Sequence, residues 1–375
     1  MKRTRTIILI SISVVVLIAI LIAAILSASN RCIIPLQAYI ELFFGQTMKY
    51  HKMRQMVKQI RDSKCKYSMG ALIYFSKNAF NPYMRLEAAE ALIGRNDYEA
   101  LEALKLLVLS DANGIQLIPK EEIRTFSYAA ISQINDNRAA KALIEFMGNE
   151  EYIARRHIIM HLQEMGKKWY MGRGLPNHLA GEDASMQIFA IYNTNLFIIN
   201  NREYYTGKLE GFLTSERSDY REAAAYALGD IMSYESGNEL LNAYQKENNS
   251  FVKANIIRAI SKVKQRTAIP LLLEALHSEV FYIRMQSATA LGNIQAPEAI
   301  NSLIKTLDDE EFNVASAANK ALEKITYYKA EAEEWSGIRE SWQKWWEENK
   351  HKYEQMEESS VPDVETKAPA AAPAQ

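Results

Sequence analysis

One nine-residue pattern occurs four times between residues 219 and 326: YREAAAYAL at 220–228, VKANIIRAI at 252–260, IRMQSATAL at 283–291 and VASAANKAL at 314–322. Each copy begins with an apolar residue, which a basic residue follows in three of the four copies, and each ends in Ala and then Leu or Ile. The ends of successive copies lie 32, 31 and 31 residues apart. Similarity at a fixed period of this length is typical of repeat proteins. The pattern therefore predicts an array of repeats over residues 219–326.

A second apolar run with the same period lies between these copies. Its positions are Ile269, Leu272, Leu273 and Leu276 in one interval and Ile300, Leu303, Ile304 and Leu307 in the next. Spacings of three and four residues place apolar side chains on one face of a helix, so each repeat is expected to hold two helices. Neither helix buries its apolar stripe alone, whereas stacked pairs do. We therefore predict an all-α fold, an α-α superhelix in which the Ala of each copy lets neighbouring helices approach closely.

The same pattern fits the first half of the chain less regularly. Its copies lead from Arg85, Arg124 and Arg155 to an apolar residue seven positions later. Asn81 followed by Pro82 reads as a helix cap and a first helical residue. Repeats are thus expected at residues 81–166 as well as at 219–326.

The apolar-basic pair followed by Ala-Leu, and then by Gly229 or Gly292, resembles HEAT repeats. The likeness is closest to the short HEAT-like repeats named after phycobilisome lyases. It covers roughly residues 81–166 and 219–326 and is clearest in the second range. The resemblance implies a solenoid of helix pairs in which the basic residue lies on the second helix.

In such repeats the basic residue is commonly tied to an acidic residue in a turn. Here Asp219 precedes Arg221 and Glu279 precedes Arg284, so the resemblance implies a structural role for both arginines. Ala315 departs from the pattern, and the last repeat cannot form this tie. The structural positions implied in this way are Arg85, Arg124, Arg155, Arg221, Lys253 and Arg284.

The N-terminal region reads as a membrane anchor. Residues 7–26 contain only apolar residues and two serines, and 20 helical residues span the hydrocarbon layer of about 30 Å. Three basic residues precede this stretch, so residues 1–6 are expected in the cytoplasm and the solenoid on the extracytoplasmic side, periplasmic or extracellular in a bacterium. A cleaved signal peptide is the alternative, although its apolar core is usually shorter. Whether Cys32 and Cys65 pair is left open.

Residues 27–80 are expected to hold juxtamembrane and N-terminal capping helices, including a basic amphipathic helix. Residues 49–66 carry seven basic residues against one acidic residue. Helical spacing places Arg54, Lys58 and Arg61 on one face, which makes them candidate interaction residues. Attraction to anionic lipid headgroups is one interpretation of this face. A solvated flank of a helix packed on the domain is the other.

Residues 167–218 interrupt the repeats as an irregular insertion or a modified repeat. Six of the 15 glycines lie between residues 166 and 211. Irregular segments on a rigid scaffold are favoured places for recognition, so Trp169 and Tyr170 are candidate interaction residues. The alternative is that both rings cover an apolar layer where the stack is irregular.

A possible metal site precedes the insertion. His157, His161 and Glu164 are spaced to share one helical face, as in zinc proteins with two histidines four residues apart. The catalytic Glu of that motif is missing, because Ile158 follows the first histidine. His161 also occupies the Ala position of the repeat, so irregular packing explains it equally well. We therefore keep these three residues as weak metal candidates and predict no metal.

The C-terminal region holds four of the five tryptophans within residues 335–346. Residues 327–350 are predicted to form a Trp-rich capping helix, because the last layer of a solenoid needs a cover. Residues 351–375, which are acidic and then rich in Ala and Pro, are predicted to be a disordered tail.

Composition excludes several functions. Charge nearly cancels, with 44 Lys and Arg against 45 Asp and Glu, so we expect no nucleic-acid partner. No nucleophile elbow, phosphate-binding glycine loop, cysteine metal cluster or dinucleotide fingerprint occurs, and we expect neither catalysis nor a cofactor. The leading hypothesis is a membrane-tethered, non-catalytic scaffold or adaptor for protein partners that the sequence does not identify. The alternatives are a lyase-like or otherwise enzyme-associated HEAT-like protein and a membrane-surface module that uses residues 49–66.

Overall fold

The computed structural model describes residues 50–62, 68–79, 81–109, 120–170, 174–332 and 334–353. These residues form α-helices, short 3-10 turns and connections, and no β-strand occurs among them. The prediction of an all-α fold is confirmed. The chain divides into two compact units, residues 1–193 and residues 194–375.

The first unit contains nine described α-helices. They are α1 Tyr50–Asp62, α2 Ser68–Asn78, α3 Pro82–Glu90, α4 Asp97–Leu109, α5 Lys120–Ile131, α6 Asn137–Met147, α7 Tyr152–Tyr170, α8 Leu175–His178 and α9 Ala184–Tyr192. The starts of several follow from local chemistry. The Asn81 side chain accepts a hydrogen bond from the backbone N–H of Tyr83, and Pro82 occupies the first turn. Asp136 caps α6 in the same way.

The second unit contains nine more α-helices within the described residues. They are α10 Arg202–Phe212, α11 Ser218–Asp230, α12 Gly237–Lys246, α13 Ser250–Lys262, α14 Ile269–Ala275, α15 Phe281–Ile294, α16 Ile300–Thr306, α17 Phe312–Thr326 and α18 Trp335–Asn349. The nine-residue pattern falls on α11, α13, α15 and α17, which are the second helices of their pairs. Each packs against the next along its length.

Small residues set the spacing of these second helices. Gly229 lies against Ala259 and Gly292 lies against Ala321, so closely that an added Cβ would sit 2.7 Å and 2.6 Å from the neighbouring Cα atoms. The backbones therefore meet directly at these two points, where a larger side chain would push the helices apart. This contact gives the recurring Ala and Gly their physical role.

The predicted localisation requires a correction. No helix among the described residues is long and apolar enough to cross a bilayer, and this finding is against a single-pass membrane protein with an extracytoplasmic solenoid. The stretch at 7–26, on which that prediction rested, lies outside the described residues, as do Cys32 and Cys65.

Candidate interaction surfaces

The basic residues of the repeats form a recurring ion pair, here called the arginine clamp. Arg284 on α15 donates from Nε and Nη2 to the Asp309 carboxylate at 2.7 and 2.8 Å. Its Nη1 donates to the carbonyls of Ser278 and Glu279, in the turn before α15. One guanidinium thus ties the turn of its own repeat to the turn of the next repeat.

Two further arginines make the same kind of forward pair, Arg221 through two contacts to its carboxylate as in Arg284 and Arg124 through its Nη1 alone. Arg221 on α11 pairs with Glu247 at 2.7 Å, and Arg124 on α5 pairs with Glu150 at 2.9 Å. The acidic residue follows the arginine by 25 or 26 positions in all three clamps and lies between the two helices of the following repeat. This separation of 25 or 26 residues is the sequence signal that identifies the acidic partner of each arginine.

The acidic partners implied by the resemblance are therefore different from those in the structure. Asp219 accepts hydrogen bonds from Arg217 at 3.1 and 2.6 Å. Glu279 meets Arg284 through its backbone carbonyl. The tie reaches forward to the next repeat because stacking brings the two turns together.

Burial and pairing act in opposite directions on the clamp carboxylates. Burial favours the neutral form of Asp309 and of Glu247. Burial is the largest single effect, but the hydrogen bonds from the partner arginine and from backbone N–H groups, together with the arginine charge, outweigh it, so the pKa of each carboxyl lies below its ordinary value. Both groups are therefore held as carboxylates.

The other basic repeat positions make different contacts. Arg155 is buried and donates to the carbonyl of Met147. Lys253 places its ammonium 5.2 Å from the centre of the Tyr244 ring. Burial lowers the pKa of Arg85. Within the described residues the arginine clamp is thus seen at Arg124, Arg221 and Arg284.

A row of accessible side chains, here called the second-helix stripe, crosses the second unit. On α15, residues 282–288 and 290–292 are buried except Met285, so this helix reaches solvent mainly along one line. Equivalent positions lie about 31 residues away on α13 and α17. The stripe consists of Arg258, Lys262, Met285, Thr289, Asn293, Ser316, Lys320 and Lys324.

Side-chain hydrogen bonds between neighbouring helices hold the stripe in place. Lys262 donates to Asp230 at 2.9 Å, and Lys324 donates to Asn293 at 2.6 Å. The Asn293 amide in turn donates to the hydroxyl of Ser261 at 2.8 Å. Arg258 stacks 3.8 Å above the Tyr226 ring. The stripe is thus mainly polar and carries the accessible cations Lys262, Lys320 and Lys324, whereas the Arg258 side chain is only 11% exposed. Contacts to a neighbouring helix order Lys262, Asn293 and Lys324 in the free protein.

The predicted interaction residues of α1 lie on a groove in the first unit. This basic-walled groove has a volume of about 760 Å³ and is formed by α1, α3 and the end of α5. Its lining residues include His51, Arg54, Val57, Lys58, Arg61, Glu87, Glu90, Ala91, Ile93, Ala130 and Gln133. The structure therefore brings Arg54, Lys58 and Arg61 together along one wall.

Charges of both signs face this groove. Arg54 lies 3.5 Å from Glu87, whose side chain is only 10% exposed. Arg61 donates to Asp62 at 2.9 Å. Partial desolvation by neighbouring groups and the charge of Glu87 raise the pKa of Glu90, although its residue is exposed, and the charge of Arg54 opposes this shift. The nearly buried Glu87 carboxylate is therefore ion-paired, while Lys58 and most of Arg54 remain accessible.

Another groove lies in the second unit, with a volume of about 860 Å³. Arg221 and Glu247, which line it, are already held in a clamp. Its rim carries the exposed carboxylates of Glu216 and Glu239. Because a group of surface carboxylates is not by itself a ligand site, we assign no ligand to this groove.

The aromatic candidates of the insertion are placed differently from expectation. Trp169 is 2% exposed and packs edge-on against Phe189, with ring centres 5.0 Å apart. Its burial removes it from the candidate interaction surface, in agreement with the alternative that it covers an apolar layer. Tyr170 ends the same helix, and its side chain lies outside the described residues.

The metal candidates do not form a cluster. No three His, Cys, Asp or Glu side chains in the described ranges are placed to hold a metal ion. Glu164 is ion-paired with Lys167 at 2.6 Å. Burial and the neighbouring His157 lower the pKa of His161, although the charge of Glu164 opposes this. The three candidates share a helix, but they interact with neighbours on that helix and do not form a metal site.

The tryptophans of α18 pack on the last repeat. Trp342 is fully buried, and its Nε1 donates to the Asn319 side chain at 2.6 Å. Trp335 donates to the carbonyl of Leu307 at 3.3 Å. Lys344 and Glu347 on the same helix are exposed. These contacts support the proposed capping role of residues 327–350.

Comparison with known proteins agrees with the repeat pattern. No curated protein matches the chain. Among solved structures, an engineered protein is 17% identical, covering 81% of this chain and 97% of that one, with a TM-score of 0.41. Human deoxyhypusine hydroxylase in complex with glycerol is 17% identical over 74% of this chain and 98% of that one, with a TM-score of 0.34. The CpcE–CpcF complex of phycocyanin lyase from a Nostoc species is 16% identical over 76% and 96%, with a TM-score of 0.31. These TM-scores are low, and the likenesses carry no function over to this chain. Residues 237–323 match the family model of HEAT repeats, and this match supports a HEAT-repeat protein.

Proposed function

We propose that this protein is a non-catalytic scaffold that binds other proteins through its stacked second helices. The observation that carries the proposal is the second-helix stripe, in which hydrogen bonds between helices fix Lys262, Asn293 and Lys324. A surface that is ordered in the free protein loses little conformational entropy on binding, which favours affinity. A helical-repeat scaffold is also the architecture in which extended binding surfaces are common.

The composition of the stripe supports protein partners over small molecules. Its accessible side chains form an open row across three helices and do not converge on an enclosed cavity. Small ligands are usually held in concave, mostly apolar pockets. A row of polar and cationic groups instead suits the surface of a second protein with complementary charge.

Site-specific photo-crosslinking tests the proposal. A benzophenone amino acid is placed at Thr289 or Lys320 in the stripe. Matched controls carry it at Glu274 or Asn301, which are exposed on the first helices of the same repeats. We expect crosslinks to another protein from the stripe positions and none from the controls.

A partner identified in this way is then purified and titrated against the intact chain and against Lys320→Glu. Loss of binding in the variant supports the proposal. Equal crosslinking from both faces, or no protein crosslink from the stripe, counts against it.

A further inference from the structure

We propose that the basic-walled groove of the first unit is a second binding site, and that its ligand is an acidic segment of a partner protein. The groove lies wholly within the first unit and shares no residue with the second-helix stripe. This inference therefore goes beyond the proposed function and can fail independently of it.

The cationic wall has the length of a short peptide. His51, Arg54, Lys58 and Arg61 follow one another at steps of three or four residues along α1. At 1.5 Å per residue they cover about 15 Å, which about five residues of extended chain would match. Side chains on one edge of such a segment repeat at every second residue, so several carboxylates can meet the wall together.

Between the charged groups the groove is lined by small apolar side chains. Val57, Ala91, Ile93 and Ala130 contribute to the lining. Val57, Ala91 and Ala130 are buried beneath the surface of the groove, so apolar side chains that alternate with the carboxylates of the ligand would rest mainly against Ile93. The groove thus favours an acidic segment with interspersed apolar residues over a uniformly charged one.

The carboxylates across the groove do not cancel the cationic wall. Glu87 is nearly buried and already lies near Arg54, whereas Arg54 itself is 68% exposed and keeps donors available for a ligand. Lys58 is exposed. Glu90 is the group that opposes an acidic ligand, so its removal is expected to strengthen binding.

The shape of this site favours a peptide over a lipid surface. A flat bilayer cannot enter a groove, so it would reach only the outer ends of the cationic side chains that line it. A peptide enters the groove and reaches the cations from within.

Fluorescence anisotropy with the full chain tests the inference. The probe is a fluorescein-labelled peptide of sequence ELELELE, and QLQLQLQ is its neutral counterpart. We expect saturable binding of the acidic peptide alone and about tenfold weaker binding to the double variant Lys58→Glu, Arg61→Gln. Lys52→Glu is the matched control, because Lys52 is exposed on the same helix but does not line the groove.

A variant that binds more tightly gives a second test, because misfolding cannot explain a gain of binding. Glu90→Gln removes the opposing carboxylate and should tighten binding by about twofold or more. Absence of binding to the acidic peptide would overturn the inference, as would equal weakening by Lys52→Glu and by the double variant. Binding to vesicles of equimolar phosphatidylserine and phosphatidylcholine that depends on Lys58 and Arg61 would overturn it in favour of a lipid surface.

Discussion

Arg284 and Asp309 are 25 residues apart in sequence, yet they form two parallel N–H···O contacts of 2.7 and 2.8 Å between consecutive repeats. Both side chains are about 10% exposed. A paired charge in such a place is tolerated because each group satisfies the other, and loss of one partner leaves the other buried and uncompensated.

Asp309→Asn should therefore lower the free energy of unfolding by about 2–4 kcal/mol. Glu310→Gln is the matched control, because Glu310 lies 3.5 Å from the same arginine but is 84% exposed. Its loss should cost no more than about 0.5 kcal/mol. Urea denaturation followed by circular dichroism measures both, and equal effects would show that the clamp adds nothing to an ordinary surface pair.

The clamps also make stability depend on pH. The pKa values of Glu247 and Asp309 are lower in the folded chain than their ordinary values. A carboxyl whose pKa falls on folding stabilises the fold above its unfolded pKa, here about 4, and that contribution disappears as the pH falls through the folded value. The urea midpoint should thus fall between about pH 5 and pH 3. In the double variant Glu247→Gln, Asp309→Asn this fall should be smaller, and an unchanged fall would assign the acid sensitivity to other carboxyls.

Gly292→Ala tests the backbone contact between α15 and α17. The added methyl group would lie 2.6 Å from the Cα atom of Ala321, so the helices must separate, at a cost of about 1–3 kcal/mol. Gly207→Ala is the control, because this glycine is also helical but has no atom within 4 Å of the added carbon. There the higher helix propensity of Ala should stabilise the chain by about 0.5–1 kcal/mol. Thermal unfolding of the two variants should thus shift in opposite directions, and shifts of the same sign would contradict the close contact.

Trp342→Phe tests the cap on the last repeat. The change removes the indole donor to Asn319, which lies at 2.6 Å, and leaves space in a fully buried position. We expect a loss of about 2–3 kcal/mol in the free energy of unfolding. Trp346→Phe, at a half-buried position of the same helix, should cost clearly less. If both variants lose the same stability, Trp342 has no special role in the cap.

Much of the second unit could be predicted because its repeats are regular. The recurring Ala-Leu positions predict the helix pairs. Gly229 and Gly292 contact the second helix of the next repeat, as the period predicts. The partner of Arg284 could not be predicted in this way. Finding Asp309 requires knowledge of how one pair stacks on the next, since the helical period describes neighbours within one helix only.

The first unit shows a second limit of local patterns. Trp169 lies at the start of a glycine-rich segment, and the sequence left open whether it is an interaction residue or covers an apolar layer. Phe189, which lies 20 residues further on within the same segment, packs against the indole ring. His157 and His161 lie four residues apart on one helix. This spacing brings two side chains to one face, but it does not supply a third metal ligand.

The arginine clamp also constrains the number of residues between consecutive repeats. A guanidinium that must reach a carboxylate 25 or 26 positions ahead fixes how many residues the intervening loop and first helix can contain. An inserted or deleted residue in that interval would rotate the next helix and separate the two charges. Changes in chain length between clamped repeats should therefore be tolerated mainly as whole duplicated or lost repeats.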